Sequence, residues 1–224
     1  MGHYRPDMAG SERPVAGSGG AVPALAPRWA APVAVVALLV GTLLAGWVWH
    51  ATRLDPVDAW VMRWQERARL HANGAAATVS SALPAVMLII MTGAAVVAWL
   101  AGRRDAVVLA LAAAPATLAT EMLLKELVHR QWNGDPGLLF PSGHSAVATA
   151  AAMTAVLVLR VVPVAPAALV AAACLGGGFV LVIAVARLVE TVHALTDVVG
   201  GATIGLVVTL GAALAITNWP RTAR

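Results

Sequence analysis

Apolar residues gather along this chain into six long runs separated by short polar joints. A helix that crosses a bilayer needs about 20 mainly apolar residues. Residues 29–49, 78–101, 106–127, 142–162, 167–186 and 198–219 meet that requirement, the third run being broken near its end by Glu121 and Lys125. Residues 55–71 follow a different rhythm. Trp60 and Trp64 are four apart and share a helix face with Val57 and Val61, whereas Asp58, Arg63, Gln65, Glu66, Arg67 and Arg69 fall mostly elsewhere. That spacing predicts an amphipathic helix lying in the headgroup layer. Trp favours that layer, and Trp29, Trp47, Trp49, Trp99 and Trp219 stand at span ends. The predicted fold is therefore all-α: a six-transmembrane-helix bundle with an interfacial amphipathic helix between spans one and two. Short joints make residues 29–219 one membrane domain. Residues 1–28, rich in Gly, Pro, Ala and Ser, read as a disordered cytoplasmic tail, and 220–224 as a short cytoplasmic one.

Composition agrees. The 224 residues are 60% hydrophobic and 12% charged, with a mean hydropathy of +0.81. Soluble domains carry about a quarter charged residues. The net charge of +4 is small and scattered, and with so little polar surface it does not point to a nucleic-acid binder. The single cysteine, Cys174, permits no intrachain disulfide. Arginine placement orients the bundle. With the N-terminus inside, Arg5, Arg13, Arg28, Arg103, Arg104, Arg160, Arg221 and Arg224 fall inside, against Arg53, Arg63, Arg67 and Arg69 outside once the candidate site residues Lys125, Arg130 and Arg187, also outside, are set aside. Both termini are thus expected to be cytoplasmic.

Charges near a hydrocarbon core are costly and usually functional. Lys125 lies near the end of the third run, His144 at the start of the fourth, Arg187 at the end of the fifth, and His193 and Asp197 at the start of the sixth. Strict alternation of spans brings all five to one face, the outer one. Ser142 is placed to cap the fourth helix, whose first amides, at Gly143 and His144, then form an anion site. Lys125 and Arg187 would add charge-assisted bonds to a phosphate. His193 and Asp197, four residues apart, would share a helix face, the carboxylate fixing the imidazole tautomer. His144 could protonate a leaving oxygen. A nucleophile, an orienting carboxylate, an acid and cationic clamps suit a covalent phosphatase. Two histidines and an aspartate could instead hold zinc, but the nearby cations favour an anion. Lys125 could also simply pair with Glu121, four residues before it.

These residues carry a resemblance. Pro141, Ser142, Gly143 and His144 form one complete motif. Arg187, five residues, His193, three residues and Asp197 form a second, with Ala186 where a Ser is usual. Lys125–Arg130 opens a third, but Trp132 and Asn133 replace its Arg-Pro. The chain resembles the type 2 phosphatidic acid phosphatase superfamily of integral membrane lipid phosphatases. The resemblance implies that His193 forms a phosphohistidine, Asp197 orients it and His144 protonates the leaving group. It implies that Lys125, Ser142, Gly143 and Arg187 hold the phosphoryl oxygens, with no metal and no cofactor. Arg130, where many relatives carry an additional Arg, is the candidate to supply the charge lost at Trp132. Six apolar spans set the chain apart from the soluble vanadium haloperoxidases, which share these motifs.

The expected activity is hydrolysis of a lipid phosphate in a bacterial-type plasma membrane, at a site facing the extracytoplasmic side. A polyprenyl diphosphate is favoured, with phosphatidate or phosphatidylglycerol phosphate close behind. A lipid phosphotransferase and a non-catalytic lipid-phosphate binder are the alternatives. The bilayer and the lipid are the expected partners; nucleic acid is not, and the sequence leaves the oligomeric state open.

Overall fold

The computed structural model describes residues 23–131 and 138–220. Six helices follow in chain order: α1 Ala30–Trp47, α2 Pro56–Leu100, α3 Arg104–Val128, α4 Gly143–Val161, α5 Pro166–Val189 and α6 Leu195–Asn218. Each contains a stretch long and apolar enough to cross a membrane. The chain is a multi-pass membrane protein, and every predicted span corresponds to one of these helices.

The amphipathic segment is helical as expected, but it is not a separate element. It forms the first part of α2, which runs on unbroken for 45 residues. At 1.5 Å per residue that is about 68 Å, over twice a hydrocarbon core of about 30 Å. Asp55 starts the helix: its Oδ1 accepts from the Val57 and Asp58 amides at 2.9 and 3.0 Å, and Pro56 stands at the first position. Nothing stops it where the two segments meet. Residues 72–77 are mostly alanine, the best helix former, and the lone Gly74 costs only about 1 kcal/mol. The tryptophan face turns outward, with Val57, Trp60 and Trp64 exposed. The buried stripe is Asp58, Val61, Met62 and Gln65, two of them polar.

Within the bundle α4 is the innermost helix, packing against α2, α3, α5 and α6. Its sequence explains this. Alanine and threonine let neighbouring backbones approach, as membrane helix pairs require without a hydrophobic driving force between them. The largest core cluster is correspondingly alanine-rich, with Leu109, Leu157 and Leu210 filling between Ala94, Ala98, Ala106, Ala110, Ala113 and Ala151. Gly201 and Gly205, one turn apart on α6, meet the opening turns of α4. A side chain at Gly201 would collide with the Ser142 carbonyl oxygen, and one at Gly205 with that of Ala146.

The predicted N-terminal tail needs correction where it is described. Residues 23–28 dock on the bundle. Arg103 Nη2 donates to the Pro23 carbonyl and Arg160 Nη1 to that of Ala24, each at 3.0 Å. The Ala26 amide donates to Thr217 Oγ1 at 3.1 Å, and Leu25 is fully buried. Three side-chain bonds to the backbone outweigh the disorder that composition alone implies. The remaining tail residues, 1–22 and 221–224, lie outside the described residues.

The α4–α6 contact yields a test. Gly205→Val must push against Ala146 and Thr149, an overpacking that costs about 1–3 kcal/mol. Its thermal midpoint in detergent should fall by several degrees. Gly211→Val, on the same helix with open space around it, should leave the midpoint unchanged. Equal midpoints for the two variants would refute the packing.

Candidate active site

One end of the bundle is tied together by backbone bonds between elements far apart in sequence. The His50 amide donates to the Val128 carbonyl at 2.9 Å, Gln131 to Ala51 at 3.1 Å, and Ser142 to the Asp197 carbonyl at 2.9 Å. Gln65 Nε2, on α2, donates to the His193 carbonyl at 3.2 Å. The end of α3 and the starts of α2, α4 and α6 therefore meet there.

The start of α4 carries the Pro141–His144 motif. Ser142 occupies the N-cap position and is fully buried, but its hydroxyl makes no capping bond. It accepts instead from Ser145 Oγ at 3.3 Å. Ser142 thus gives the first-turn amides no side-chain cap. A carboxylate lies beside this helix start. A Cβ at Gly143 would stand 2.9 Å from Glu121 Oε1, so only glycine lets this group lie so close to the backbone. The same oxygen lies 2.6 Å from Lys125 Nζ. The Glu121–Lys125 pairing read from their spacing is thus present, and it sits against the α4 start. Arg187, in the last turn of α5, is paired as well: Nη1 lies 2.6 Å from Glu190 Oε2, which also accepts from Ser80 Oγ at 2.8 Å. Among the described residues Arg187 Nε is buried without a hydrogen-bond partner.

His144, partly buried in the first turn of α4, lies within electrostatic reach of Arg187, His193, Glu190 and Lys125. The two histidines and the two cations expected from span alternation therefore lie at the same end of the bundle. The His193–Asp197 pair forms differently from expectation. Helix α6 begins at Leu195 with Ala194 as N-cap, so His193 precedes the helix and the two do not share a helical face. Asp197, in the first turn, folds back: Oδ2 accepts the Ala194 amide at 2.8 Å and lies 3.7 Å from His193 Nδ1. That separation exceeds a hydrogen bond, though catalytic contacts in ligand-free enzymes are often long and tighten on binding. Among the described residues Nδ1 has no other partner.

Arg130 was expected to turn toward a phosphate; its guanidinium is committed elsewhere. It is 2% exposed and bridges two buried carboxylates. Nη1 donates to Asp197 Oδ1 and Thr196 Oγ1, both at 2.6 Å, and Nη2 to Asp58 Oδ2 at 2.8 Å. Burial alone would lower the pKa of Arg130, but the charges of Asp197 and Asp58 outweigh it and raise it, so the guanidinium stays protonated. The physical reason is cost: a buried ion pair that loses one partner leaves an uncompensated charge. Asp58, Thr196 and Glu190 escaped the sequence reading. Asp58 looks there like an ordinary acidic residue in a first helical turn, and Glu190 hides in the spacer between Arg187 and His193. Trp132 lies outside the described residues. Among the described residues no three His, Cys, Asp or Glu side chains gather into a metal-holding group.

The sequence profile of the PAP2 superfamily matches residues 108–221, just over half of the chain. The chain belongs to the PAP2 superfamily. That membership spans α3 to α6 and includes the expected site residues Lys125, Arg130, Ser142, Gly143, His144, Arg187, His193 and Asp197. No curated protein matches the sequence. Among solved structures, the crystal structure of the first transmembrane PAP2 type phosphatidylglycerolphosphate phosphatase from Bacillus subtilis is similar. It matches with a TM-score of 0.65 at 20% sequence identity, over 85% of this chain and 98% of that one. At that identity the likeness establishes a shared PAP2 fold, one that includes α1 or α2 as well as the part matched by the profile.

The Arg130 bridge can be tested without substrate. Arg130→Met leaves Asp58 and Asp197 buried and unpaired, at a cost of about 3–5 kcal/mol. The variant should unfold at a markedly lower temperature in detergent, or fail to give a monodisperse protein. An unchanged midpoint would mean that the bridge does not bear on stability.

Proposed function

We propose that this PAP2-superfamily membrane phosphatase removes the terminal phosphate of a lipid diphosphate, with a polyprenyl diphosphate as the favoured substrate, through a phosphohistidine on His193. The observation that carries this reading is the meeting of His193 and its Asp197 carboxylate with the uncapped start of α4 and with Lys125, Arg187 and His144. In the proposed reaction His193 Nε2 attacks the terminal phosphorus. A P–N bond forms as the P–O bond to the lipid monophosphate breaks, and His144 gives that oxygen a proton. Water then attacks the phosphorus, the P–N bond breaks, and the proton from water returns to His144 as orthophosphate leaves. Lys125, Arg187 and the Ser142–Gly143 turn hold the phosphoryl oxygens, and no metal takes part.

Lys125 and Arg187 would first exchange Glu121 and Glu190 for phosphate oxygens, one charge-assisted bond for another. The arginine distribution favours both termini in the cytoplasm and the site at the extracytoplasmic face. A phosphatidylglycerol phosphate is the second substrate reading, prompted by the activity named for the similar Bacillus subtilis structure.

A panel of polyprenyl diphosphate, phosphatidylglycerol phosphate and phosphatidate in detergent, with phosphate release as readout, separates these substrates. The favoured reading expects fastest release from polyprenyl diphosphate, none from His193→Ala, and no inhibition by chelators. Release from a phosphatidyl lipid alone would replace the substrate. Release that survives in His193→Ala would remove the nucleophile, and chelator inhibition would restore a metal mechanism.

A further inference from the structure

Asp197 has two oxygens and three claimants. Oδ1 receives Arg130, while Oδ2 receives the Ala194 amide and faces His193. Arginine binds carboxylates through two parallel bonds wherever geometry allows. A guanidinium free to do so here would take both oxygens and neutralise the charge that His193 needs. Asp58 prevents this. Its Oδ2 holds Nη2 at 2.8 Å, and only Nη1 bonds to Asp197. Asp58 is itself fixed by Thr196, whose amide donates to Oδ1 at 3.1 Å and whose hydroxyl donates to Oδ2 at 2.6 Å. The same hydroxyl accepts from Arg130 Nη1 at 2.6 Å. Two carboxylates share one guanidinium, so this buried group keeps a net negative charge beside the imidazole.

We propose that Asp58, near the start of α2, is a positioning residue for His193: by dividing Arg130 it keeps the guanidinium off Asp197 Oδ2, the oxygen that faces the imidazole. Asp58 touches no reacting atom and acts through Arg130 and Asp197. The proposal rests on His193 being the nucleophile. It also gives the outer end of α2, beyond the family-profile match, a part in the chemistry.

The test is Asp58→Asn, which keeps the shape and the acceptor for the Thr196 amide but loses the charge. It is made in the full-length protein alone and together with Asp197→Asn. Turnover is measured on the lipid that the wild type hydrolyses fastest. The single variant should lower kcat on the order of tenfold, as loss of a partner that orients a ligating or reacting group commonly does, while KM stays the same. In the Asp197→Asn background, Asp58→Asn should cause no further loss, because the two act through one contact. An unchanged kcat, or the same fold-loss in both backgrounds, would overturn the proposal.

A second readout needs no turnover. In protein labelled with ¹⁵N at histidine, the His193 ring signals, assigned by their absence in His193→Ala, should shift in Asp58→Asn. Unmoved signals would overturn the positioning role even if the wild type released no phosphate from any lipid, a result that separately defeats the phosphatase reading. Should Asp58→Asn not fold, Thr196→Val, which removes only the bridging hydroxyl, should produce the same shift and the same drop in kcat.

Discussion

One guanidinium serving two buried carboxylates is the constraint around which this end of the bundle is organised. A charge removed from water must find partners or its burial costs several kcal/mol. Arg130 finds Asp58 on α2 and Asp197 on α6, with Thr196 filling the remaining bonds. Because Asp197 also gives its backbone carbonyl to Ser142, the same bridge sets where α4 starts relative to α6. The glycines at positions 201 and 205 complete that placement by letting the two helices approach. Geometry around His193 and packing of the bundle therefore depend on one set of contacts.

The cations nearest the expected phosphate position are arranged on another principle. Lys125 and Arg187 each hold a glutamate from their own helix end, at 2.6 Å in both cases. Both cations thus remain neutralised at the edge of a hydrocarbon phase, where a bare charge would be expensive. In the proposed function a phosphate would compete with these carboxylates, exchanging partners rather than filling a bare positive pocket. Arg130, in contrast, cannot take part without exposing two buried carboxylates.

Much of this was legible in the sequence, for identifiable reasons. Spans are a matter of composition over about twenty residues, and all six runs became helices with ends shifted by a few residues, apart from the second. There the amphipathic segment joined its span, because an alanine-rich stretch with one glycine offers no stop signal. The gathering of His144, His193, Lys125 and Arg187 followed from strand-free alternation of spans, which requires no knowledge of side-chain contacts. Pairing was not legible in the same way. Asp58 belongs to a polar face that hydropathy assigns to water, and only the tertiary approach of the residue 130 region and α6 makes that face internal. The spacing of His193 and Asp197 pointed to a pair but to the wrong local geometry, since the helix begins only after His193. Residues 23–28 looked like part of a disordered tail by composition, and only Arg103, Arg160 and Thr217 from other elements reveal that they dock.

The most direct measurement is a rapid acid-free quench during the first turnover with a lipid carrying a radiolabelled terminal phosphate, followed by mapping of label on the protein. A nucleophilic His193 predicts base-stable, acid-labile label on the peptide containing that residue, and no label in His193→Ala. Phosphate released in that first turnover with the protein never labelled, or with label on any other residue, would contradict the account.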